Sequence, residues 1–593
     1  MCGINGFTFS NIDLVKKMKE YTKRRGPDAD GIYVSDEVTI SHDRLSIIDL
    51  SNEANQPMIN DNLILSFNGE IYNYKELKND LEENGYKFKT NSDSEVILNL
   101  FKKYNIEAFK KLKGIFAICL WDKKSKKLYL IRDKVGVKPL YYYVDPQNNL
   151  IFSTSIKSIL LSVKNKQLNH RAFNYYKNFG RNDLKETIFK NIYKLMPGEL
   201  IIKTKKDFNI IKFLKFEFVE ETYTDNQIKE EIDEIINYQL VSDVPIALSL
   251  SGGVDSNTAY SVMRKKYGKS INIYSFYFSD YEKFNEDFNI AKTNSEFYEN
   301  NFIPVNISHN DFSNCAEKVV EILEEPTGNQ CSILNYVMSK HVKEKILLTG
   351  DGGDETFTGY DKYRSIYLIQ QFQKLNLFKN FKINTKLKNL NRFFFNDIKD
   401  FYLSFSEQNL FINPNFYYKD FEYITKDLIG LNHTSKIDLE NRLNSISFLD
   451  LDTVVPNEYL LRNDKIFSNE GIEVRVPMLD EGIVNKFLNI SEHRKFGYLF
   501  KSKSLLKKIY KNDIHSLTKK KWGLQSPFAK WMKNPLQNFL KEVLSEGYYE
   551  NSKNYFNFKN IQNLIIKHKK EYHNPDFLWS LVMMQLFLRK FRL

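Results

Sequence analysis

The sequence has only four cysteines among its 593 residues, which are Cys2, Cys119, Cys315 and Cys331. They are scattered along the chain, and no two of them have a CxxC or zinc-ligand spacing. We therefore expect a reducing, cytoplasmic environment. The chain also lacks an apolar run of about 18 residues, and no basic stretch followed by an apolar one opens it, so we expect neither a membrane span nor a signal peptide.

Long blocks of one charge sign are missing as well. The net charge is +12 over 593 residues, and Lys and Arg are interleaved with Asp, Glu and Asn. A nucleic-acid interface needs its basic residues clustered, so we expect no nucleic-acid partner. Hydrophobic residues make up 42% and aromatic residues 15% of the chain, which is ample for a globular protein of two to four domains.

Up to about residue 200, short apolar runs alternate with turns. GIFAICLWD (114–122) and KLYLIRD (127–133) flank the polar turn KKSK, a pattern typical of a β-hairpin. Helical segments at 75–85 and 94–104 interrupt the strands, and Gly85 closes the first of them at a C-cap position. Strands with a few helices over this length predict a layered α+β domain.

The pattern changes in the second half of the chain. The isoleucines of 224–241 share one helical face, and Thr224 with Gln227 predicts a capping box at its start. Three buried-strand runs follow, which are 245–250, 271–278 and 345–350. Strands that alternate with helices predict a parallel α/β sheet. Residues 365–593 are mostly helical in pattern, and we place the boundary between the halves near 205–225.

Two glycine-rich loops follow two of these strands. SGGVDS (251–256) leads into a helix, whose free N–H groups and dipole favour an anion. The acidic loop DGGD (351–354) follows the third strand, and loops at the carboxyl ends of parallel strands face one crevice. Asp255 and Asp354 would then share one Mg²⁺ on a polyphosphate. A plain glycine turn and an acidic surface turn are the alternative interpretations of each loop alone, but they explain the pair poorly.

These motifs carry a resemblance to known families. SGGVDS resembles the pyrophosphate loop of ATP pyrophosphatases. The opening MCGI (1–4), with RGPDADG (25–31), FNGEIYN (67–73) and NSDSEVIL (91–98), resembles a class II glutamine amidotransferase domain. The chain as a whole resembles the glutamine-hydrolysing asparagine synthetase family. Further family-like stretches are GIEVRVPMLD (471–480), KSLLK (503–507) and WGLQSPFAKWM (522–532).

The resemblance implies a fold and an activity. It implies an α+β layered sandwich of the N-terminal-nucleophile hydrolase type over 2–210. An α/β parallel-sheet domain of the ATP-pyrophosphatase type, with a helical C-terminal part, would occupy 225–593. The implied reaction converts ATP, L-aspartate, L-glutamine and water to AMP, pyrophosphate, L-asparagine and L-glutamate through β-aspartyl-AMP, with ammonia passing between the domains. ATP is then a substrate and Mg²⁺ a cofactor, and a homodimer is compatible with this assignment.

Cys2 acquires a special chemistry if Met1 is removed, because one residue then carries a thiol and a free α-amine. An α-amino pKa of roughly 7.7–8 leaves free base near neutrality, so the amine can take the thiol proton. By resemblance, Asn68 and the N–H group of Gly69 stabilise the oxyanion. The resemblance assigns glutamine binding to Arg44, Leu45, Asn68, Glu70 and Asp93, with Arg44 on the α-carboxylate and the two acids on the α-ammonium. An inert N-terminal cysteine is the alternative for Cys2 alone.

In the synthetase half, the resemblance assigns ATP binding to Ser249, Leu250, Ser251, Gly252, Gly253, Asp255, Ser256, Phe278, Thr349 and Gly350. Asp351 stands where the family has an acid involved in forming the adenylate. Lys503 would stabilise charge on the phosphates, with Lys501 as a second candidate. Without its motif, Lys503 would be interpreted as an ordinary lysine that faces solvent.

The segment EEPTGNQCSILNY (324–336), near the expected acceptor site, departs from the family pattern. The identity of the acceptor therefore stays open, and the alternative function is amidation of another carboxylate, such as a sugar uronic acid for a surface polysaccharide. Intramolecular amide closure, as in β-lactam-forming relatives, and a catalytically silent nucleotide-binding scaffold are two further alternatives. The intact set of Cys2, Arg44 and Asn68 argues against both.

Overall fold

The computed structural model describes residues 1–216, 222–374, 442–488, 490–497, 501–518, 526–571 and 575–593. Most of the expected helical stretch between 365 and 450, and the first four residues of the motif at 522–532, lie outside these ranges. None of the helices in the described ranges combines the length and the apolar character needed to cross a membrane.

The first half is built from twelve strands and five α-helices. The strands are β1 Gly3–Phe7, β2 Ala29–Val34, β3 Thr39–Arg44, β4 Met58–Asn60, β5 Leu63–Ile71, β6 Gly114–Asp122, β7 Lys127–Arg132, β8 Tyr141–Val144, β9 Leu150–Ser153, β10 Tyr193–Lys194, β11 Glu199–Lys203 and β12 Phe208–Lys212. The helices are α1 Ile12–Lys19, α2 Tyr74–Glu83, α3 Asp93–Tyr104, α4 Ile156–Leu160 and α5 His170–Phe179.

These strands form two antiparallel sheets that pack face to face. One has the order β10-β8-β9-β1-β3-β2 and the other β12-β11-β7-β6-β5-β4. A buried apolar layer joins them, to which Ile4 and Ile40 contribute from the first sheet and Ala117 and Leu130 from the second. Helices α1 and α4 pack on the outer face of the first sheet, and α2 and α3 on that of the second. The predicted layered α+β sandwich is confirmed.

The predicted hairpin is also confirmed, because β6 and β7 pair antiparallel with Asp122 opposite Lys127. The predicted helices correspond to α2 and α3, and Gly85 follows α2 with φ +84°.

The second half contains a parallel sheet surrounded by helices. Its strands are β13 Ile246–Ser249, β14 Asn272–Tyr277, β15 Asn301–Asn306, β16 Ile346–Leu348 and β17 Glu473–Arg475. Its described α-helices are α6 Asp225–Gln239, α7 Val254–Tyr267, α8 Glu286–Phe297, α9 His309–Leu323, α10 Cys331–Ser339, α11 Gly353–Thr356, α12 Asp361–Lys374, α13 Arg442–Asp452, α14 Leu460–Ser468, α15 Glu481–Phe487, α16 Glu492–Phe496, α17 Ser504–Ile509, α18 Phe528–Lys533, α19 Gln537–Val543, α20 Phe558–Glu571 and α21 Pro575–Phe591.

The sheet order is β15-β14-β13-β16-β17, and every neighbouring pair is parallel. The three predicted strands are β13, β14 and β16, so the parallel α/β fold is confirmed. The capping box at the start of α6 is present, with the Gln227 backbone N–H donating to Thr224 Oγ1 at 3.2 Å. The sequence pattern gave no signal for β15, an edge strand that contains Pro304, or for β17, which is three residues long.

The halves meet across a buried polar interface that includes the departing segment at 324–336. The Glu324 carboxylate accepts from the backbone N–H of Ile156 at 2.7 Å, and Lys465 Nζ lies 2.6 Å from it. Glu325 accepts from Asn182 Nδ2 at 2.8 Å and from the N–H of Ile188 at 2.9 Å. The first two residues of this segment therefore join the two halves.

Candidate active sites

Cys2 lies immediately before β1, in the centre of the first sheet. Its backbone N–H donates to Asn68 Oδ1 at 2.7 Å, and its Sγ lies 4.0 Å from the carbonyl oxygen of Leu45. Burial raises the pKa of the Cys2 thiol above its ordinary value. A buried thiol of raised pKa needs a nearby base to ionise, which is the role predicted for its own α-amine.

The predicted oxyanion donors lie on β5. Asn68 Nδ2 is buried and has no hydrogen-bond partner among the described residues, so this donor is available to a bound oxyanion. Gly69 has φ +146°, and a Cβ atom there would lie 1.9 Å from the carbonyl oxygen of Ile115. Only glycine therefore fits at this position of the strand. The structure brings Asn68 and Cys2 together.

Arg44 has a different set of contacts from the one predicted. Its Nη1 donates to the carbonyl of Ser51 at 2.8 Å and to Asn55 Oδ1 at 2.7 Å, and its Nη2 donates to the carbonyl of Asp49. The guanidinium thus anchors the loop after β3, next to Leu45. Its predicted contact with the substrate α-carboxylate stays a prediction.

Glu70 and Asp93 are two buried carboxyl groups near Cys2. Asp93, at the start of α3, accepts from the N–H of Ile71 at 3.0 Å, and burial raises its pKa to about 6. Glu70 Oε2 lies 3.6 Å from Arg475 Nη2 in β17. Burial, together with the neighbouring Glu473, raises the pKa of Glu70 well above its ordinary value. Two buried carboxyls of raised pKa suit an ammonium partner, which would restore their charge.

Glutamine use should depend on the ionisation of Asp93. A carboxylate attracts an α-ammonium and a neutral carboxyl does not, so kcat/KM for glutamine should fall as the pH drops through about 6, the pKa of Asp93. The measurement is the pH profile of glutamine hydrolysis. The Asp93→Asn variant should lose this inflection and keep the one due to the α-amine. An unchanged profile in that variant would show that Asp93 does not control binding.

The second site is a cavity of about 250 Å³ at the carboxyl ends of β13 and β16. Of the predicted ATP and metal residues, it is lined by Ser249, Ser251, Asp255, Ser256, Thr349, Gly350, Asp351 and Asp354. Both glycine-rich loops therefore face one crevice. They approach closely, because a Cβ at Gly350 would lie 2.5 Å from the backbone nitrogen of Ser256.

Four of the predicted ATP residues do not line this cavity. Gly252 and Gly253 form the turn behind it, where a Cβ at Gly252 would lie 2.5 Å from Thr518 Cγ2. Leu250 is buried, and Phe278 packs on Trp531 with ring centroids 5.6 Å apart. Phe276, two residues earlier, lies within β14 and lines the cavity instead, whereas Phe278 lies just beyond the end of this strand.

Lys503 connects the two loops. Its ammonium contacts Asp255 Oδ2 and lies 2.5 Å from Asp354 Oδ1, whereas Lys501 is exposed. Two carboxylates that converge on one cation fit Mg²⁺, which proteins often hold through one or two carboxylates and the substrate phosphates. In the described part of the chain, no group of three or more His, Cys, Asp or Glu side chains has metal-binding geometry.

Asp351 is held by two donors at the far end of the cavity. Thr349 Oγ1 donates to it at 2.9 Å and Asn463 Nδ2 at 2.7 Å. Asn463 belongs to α14, which follows directly on a π-helical turn at Val455–Tyr459. Its neighbour Arg462 also lines the cavity and lies 2.9 Å from Glu458. π-Helical turns often occur at functional sites.

Comparison with known proteins places the chain in a family. Residues 1–214 match the glutamine amidotransferase domain family, and residues 227–589, more than half of the chain, match the asparagine synthase family. The chain belongs to the asparagine synthase family. It is therefore an ATP-dependent ligase with a glutamine amidotransferase domain.

Several relatives span most of the chain. Asparagine synthetase [glutamine-hydrolyzing] 1 of Bacillus subtilis is 29% identical over 92% of this chain and 90% of its own length. Putative asparagine synthetase [glutamine-hydrolyzing] 2 of Methanocaldococcus jannaschii is 32% identical over 64% of this chain and 79% of its own length. Amidase chry2 of Gibberella zeae is 24% identical over 92% of this chain and 90% of its own length.

Sequence reasoning missed the buried polar residues that surround both sites. Arg462 and Asn463 line or support the cavity between the glycine-rich loops, and Arg475 reaches Glu70 from the second half of the chain. Charged residues inside a helical pattern usually face solvent, so the pattern alone does not mark them. The available signal was the family-like stretch at 471–480, which contains Arg475.

Proposed function

We propose that this member of the asparagine synthase family is a glutamine-hydrolysing asparagine synthetase. The observation that carries the proposal is the relation between β16 and β17. β16 leads to Asp351 in the ATP cavity, and its neighbour β17 carries Arg475, whose Nη2 lies 3.6 Å from Glu70 beside Cys2. Each of these two neighbouring strands thus leads to one of the two predicted sites. An enzyme that transfers ammonia from one site to the other requires such a connection.

The proposed glutaminase reaction takes place at Cys2 after removal of Met1. The thiol proton moves to the α-amine, and Sγ attacks the side-chain carbonyl of glutamine. Asn68 Nδ2 and the N–H of Gly69 stabilise the oxyanion. The α-amine then protonates the leaving nitrogen, ammonia departs, and water hydrolyses the thioester to glutamate.

Binding of glutamine would use Arg44, Leu45, Glu70 and Asp93. The two carboxylates would receive the α-ammonium, and the guanidinium would pair with the α-carboxylate. Because the Arg44 Nη groups already bind three oxygens of the loop at 49–55, this loop and the substrate would be positioned together.

The proposed synthetase reaction takes place in the cavity between the glycine-rich loops. An oxygen of the acceptor carboxylate attacks the α-phosphate of ATP, the bond to pyrophosphate breaks, and an acyl-adenylate forms. Lys503 would neutralise charge on the departing phosphates, and Asp255 and Asp354 would hold Mg²⁺, which supplies further positive charge when bound. Ammonia then attacks the acyl carbon, AMP leaves, and the nitrogen loses a proton.

Ammonia would cross between the sites through the buried interface. Arg475 and Glu70 would line the start of this route, and the buried hydroxyl of Tyr72 has no hydrogen-bond partner within the described ranges. A buried route keeps ammonia from being protonated by bulk water, where its lone pair would be lost to the reaction. We therefore expect glutamine nitrogen to reach the product without mixing with the solvent.

Aspartate is the proposed acceptor, and the experiment that tests it is an AMP-release assay. We expect AMP and pyrophosphate to form when ATP, glutamine and aspartate are present together, and asparagine to accumulate in equal amount. A panel of sugar uronic acids serves as the comparison. Turnover of a sugar acid with none of aspartate would refute the asparagine synthetase assignment and keep the ligase chemistry.

Amidation of another carboxylate is the second candidate, and one observation favours it. A relative that matches 92% of this chain is named an amidase, so a similar chain length and domain order occur under a name other than asparagine synthetase. The acceptor end of the cavity is lined by Cys331, Asn335 and Arg462. These side chains can bind carboxylates or hydroxyl groups, so the assay decides between the two acceptors.

A further inference from the structure

Helix α14, Leu460–Ser468, lies between the two sites and is buried along its whole length. On the synthetase side it supports the adenylate-forming acid, since Asn463 Nδ2 donates to Asp351 Oδ2 at 2.7 Å. Asn335 in α10 fixes the same amide by donating to Asn463 Oδ1 at 2.6 Å. The position of Asp351 and the position of α14 are therefore linked by a hydrogen bond.

The next residue of α14 reaches the amidotransferase half. Asp464 Oδ1 lies 2.8 Å from Arg25 Nη1, and the same nitrogen donates to Ser468 Oγ at 2.8 Å. Arg25 Nε in turn donates to the backbone carbonyl of Cys2 at 2.9 Å. One guanidinium thus holds the nucleophile's carbonyl on one side and two residues of α14 on the other.

The energetics of burial make this connection stiff. Arg25 is 6% exposed and Asp464 is 2% exposed. Separating a buried ion pair leaves two uncompensated charges away from water, which is strongly unfavourable. The helix is itself buried along its whole length, so we expect it to move as a rigid element and not by local bending. A shift of Asn463 should therefore be passed on to Asp464 and Arg25.

We propose that Asp464 is a positioning residue that couples the two sites. It fixes the Cys2 carbonyl through Arg25, and it belongs to α14, the same helix that holds Asp351. Occupation of the ATP cavity would then change the rate of glutamine hydrolysis at Cys2. This inference rests on the proposed function, and it adds regulation of the same pair of sites. Coupling between two binding sites is reciprocal, so a ligand on Cys2 must also change the affinity for ATP.

The forward test measures glutamine hydrolysis with and without saturating ATP and aspartate. We expect the rate in the unaltered enzyme to change by about fivefold, the lower end of usual coupling. The Asp464→Asn variant keeps the side-chain shape but loses the charge. For this variant, the ratio of the hydrolysis rates with and without ATP and aspartate should be about one. Synthesis with ammonia in place of glutamine should stay within about twofold of the unaltered enzyme, because Asp464 does not touch the ATP cavity.

A matched control is available two residues beyond the same helix. Glu470 is partly buried, pairs with Lys340 at 2.6 Å and has no contact with Arg25 among those that the structure describes. Glu470→Gln makes the same change from carboxylate to amide. This variant should retain the ratio of the unaltered enzyme.

The reverse test measures the dissociation constant of ATP before and after Cys2 is alkylated by an electrophilic glutamine analogue, a diazo ketone. We expect alkylation to change the dissociation constant of ATP in the unaltered enzyme and in Glu470→Gln. In Asp464→Asn this dissociation constant should not change. A role for Asp464 in stability alone would not remove this shift. If Asp464→Asn does not fold, Ser468→Ala removes one uncharged partner of Arg25, and the coupling ratio should then be reduced.

The outcomes separate this inference from the proposed function. An enzyme that neither hydrolyses glutamine nor forms AMP would refute the proposed function. An enzyme that hydrolyses glutamine and forms AMP, but whose rate of glutamine hydrolysis does not depend on ATP and aspartate, would overturn the coupling alone. The role of Asp464 would be overturned if the Asp464 or Ser468 variant showed the same rate ratio and the same change in the ATP dissociation constant as the unaltered enzyme.

Discussion

Replacing Cys2 with alanine is expected to abolish glutamine-dependent product formation, by about 10³-fold or more, and to leave ammonia-dependent formation intact. Loss of a nucleophile removes the covalent route entirely, and what remains comes from binding and the oxyanion donors. The ATP cavity and its loops do not include Cys2, so ammonia supplied in solution should still reach the adenylate. AMP release measured with each nitrogen source checks both expectations.

Cys119→Ala is the matched control for this variant. Cys119 is a buried thiol on β6, within the apolar layer between the two sheets. Its loss should affect stability and not the choice of nitrogen source. Equal loss of glutamine-dependent and ammonia-dependent activity in Cys2→Ala would contradict the division of labour between the two sites.

Replacing Asp255 with alanine should eliminate pyrophosphate release with either nitrogen source. Asp255 and Asp354 both contact Lys503, so the variant loses one of the two carboxylates that we propose hold Mg²⁺ against the phosphates. We expect a fall of about 10²-fold or more, comparable to the loss of a preorganised charge-stabilising group. Pyrophosphate release and glutamine hydrolysis should be measured on the same sample.

Two controls accompany the Asp255 variant. Its glutamine hydrolysis without ATP should persist, since Cys2 and Asn68 lie in the other half. Asp361→Ala changes an exposed aspartate at the start of α12 and should leave pyrophosphate release unchanged. Full pyrophosphate release from Asp255→Ala would show that the SGGVDS loop does not hold the nucleotide phosphates.

Local sequence signals predicted much of the fold because the contacts behind them are local. The capping box of Thr224 and Gln227 spans four residues, and the hairpin of β6 and β7 needs one short turn. The parallel sheet could be predicted because its strands and helices alternate along the chain. The two glycine-rich loops then had to meet at one edge, and the structure brings Asp255 and Asp354 to a single lysine.

Other features depend on contacts that no local pattern encodes. Arg25 and Ser468 are 443 positions apart, and their contact depends on how the two halves dock. Phe278 was expected at the nucleotide, whereas Phe276 lines the cavity, because Phe278 lies beyond the end of β14 and its ring packs on Trp531. The segment at 324–336 departs from the family pattern, and Glu324 and Glu325 in it bind the other half of the chain.

The N-terminal residue of the active enzyme tests the central claim most directly. Met1 is buried in the structure, and Lys138 Nζ lies 2.6 Å from its Sδ. The Cys2 nitrogen, already 2.7 Å from Asn68 Oδ1, becomes a free amine only when Met1 is removed. Intact-mass spectrometry of purified enzyme that hydrolyses glutamine should show a chain that begins at Cys2. Full glutaminase activity from a chain that retains Met1 would contradict the account.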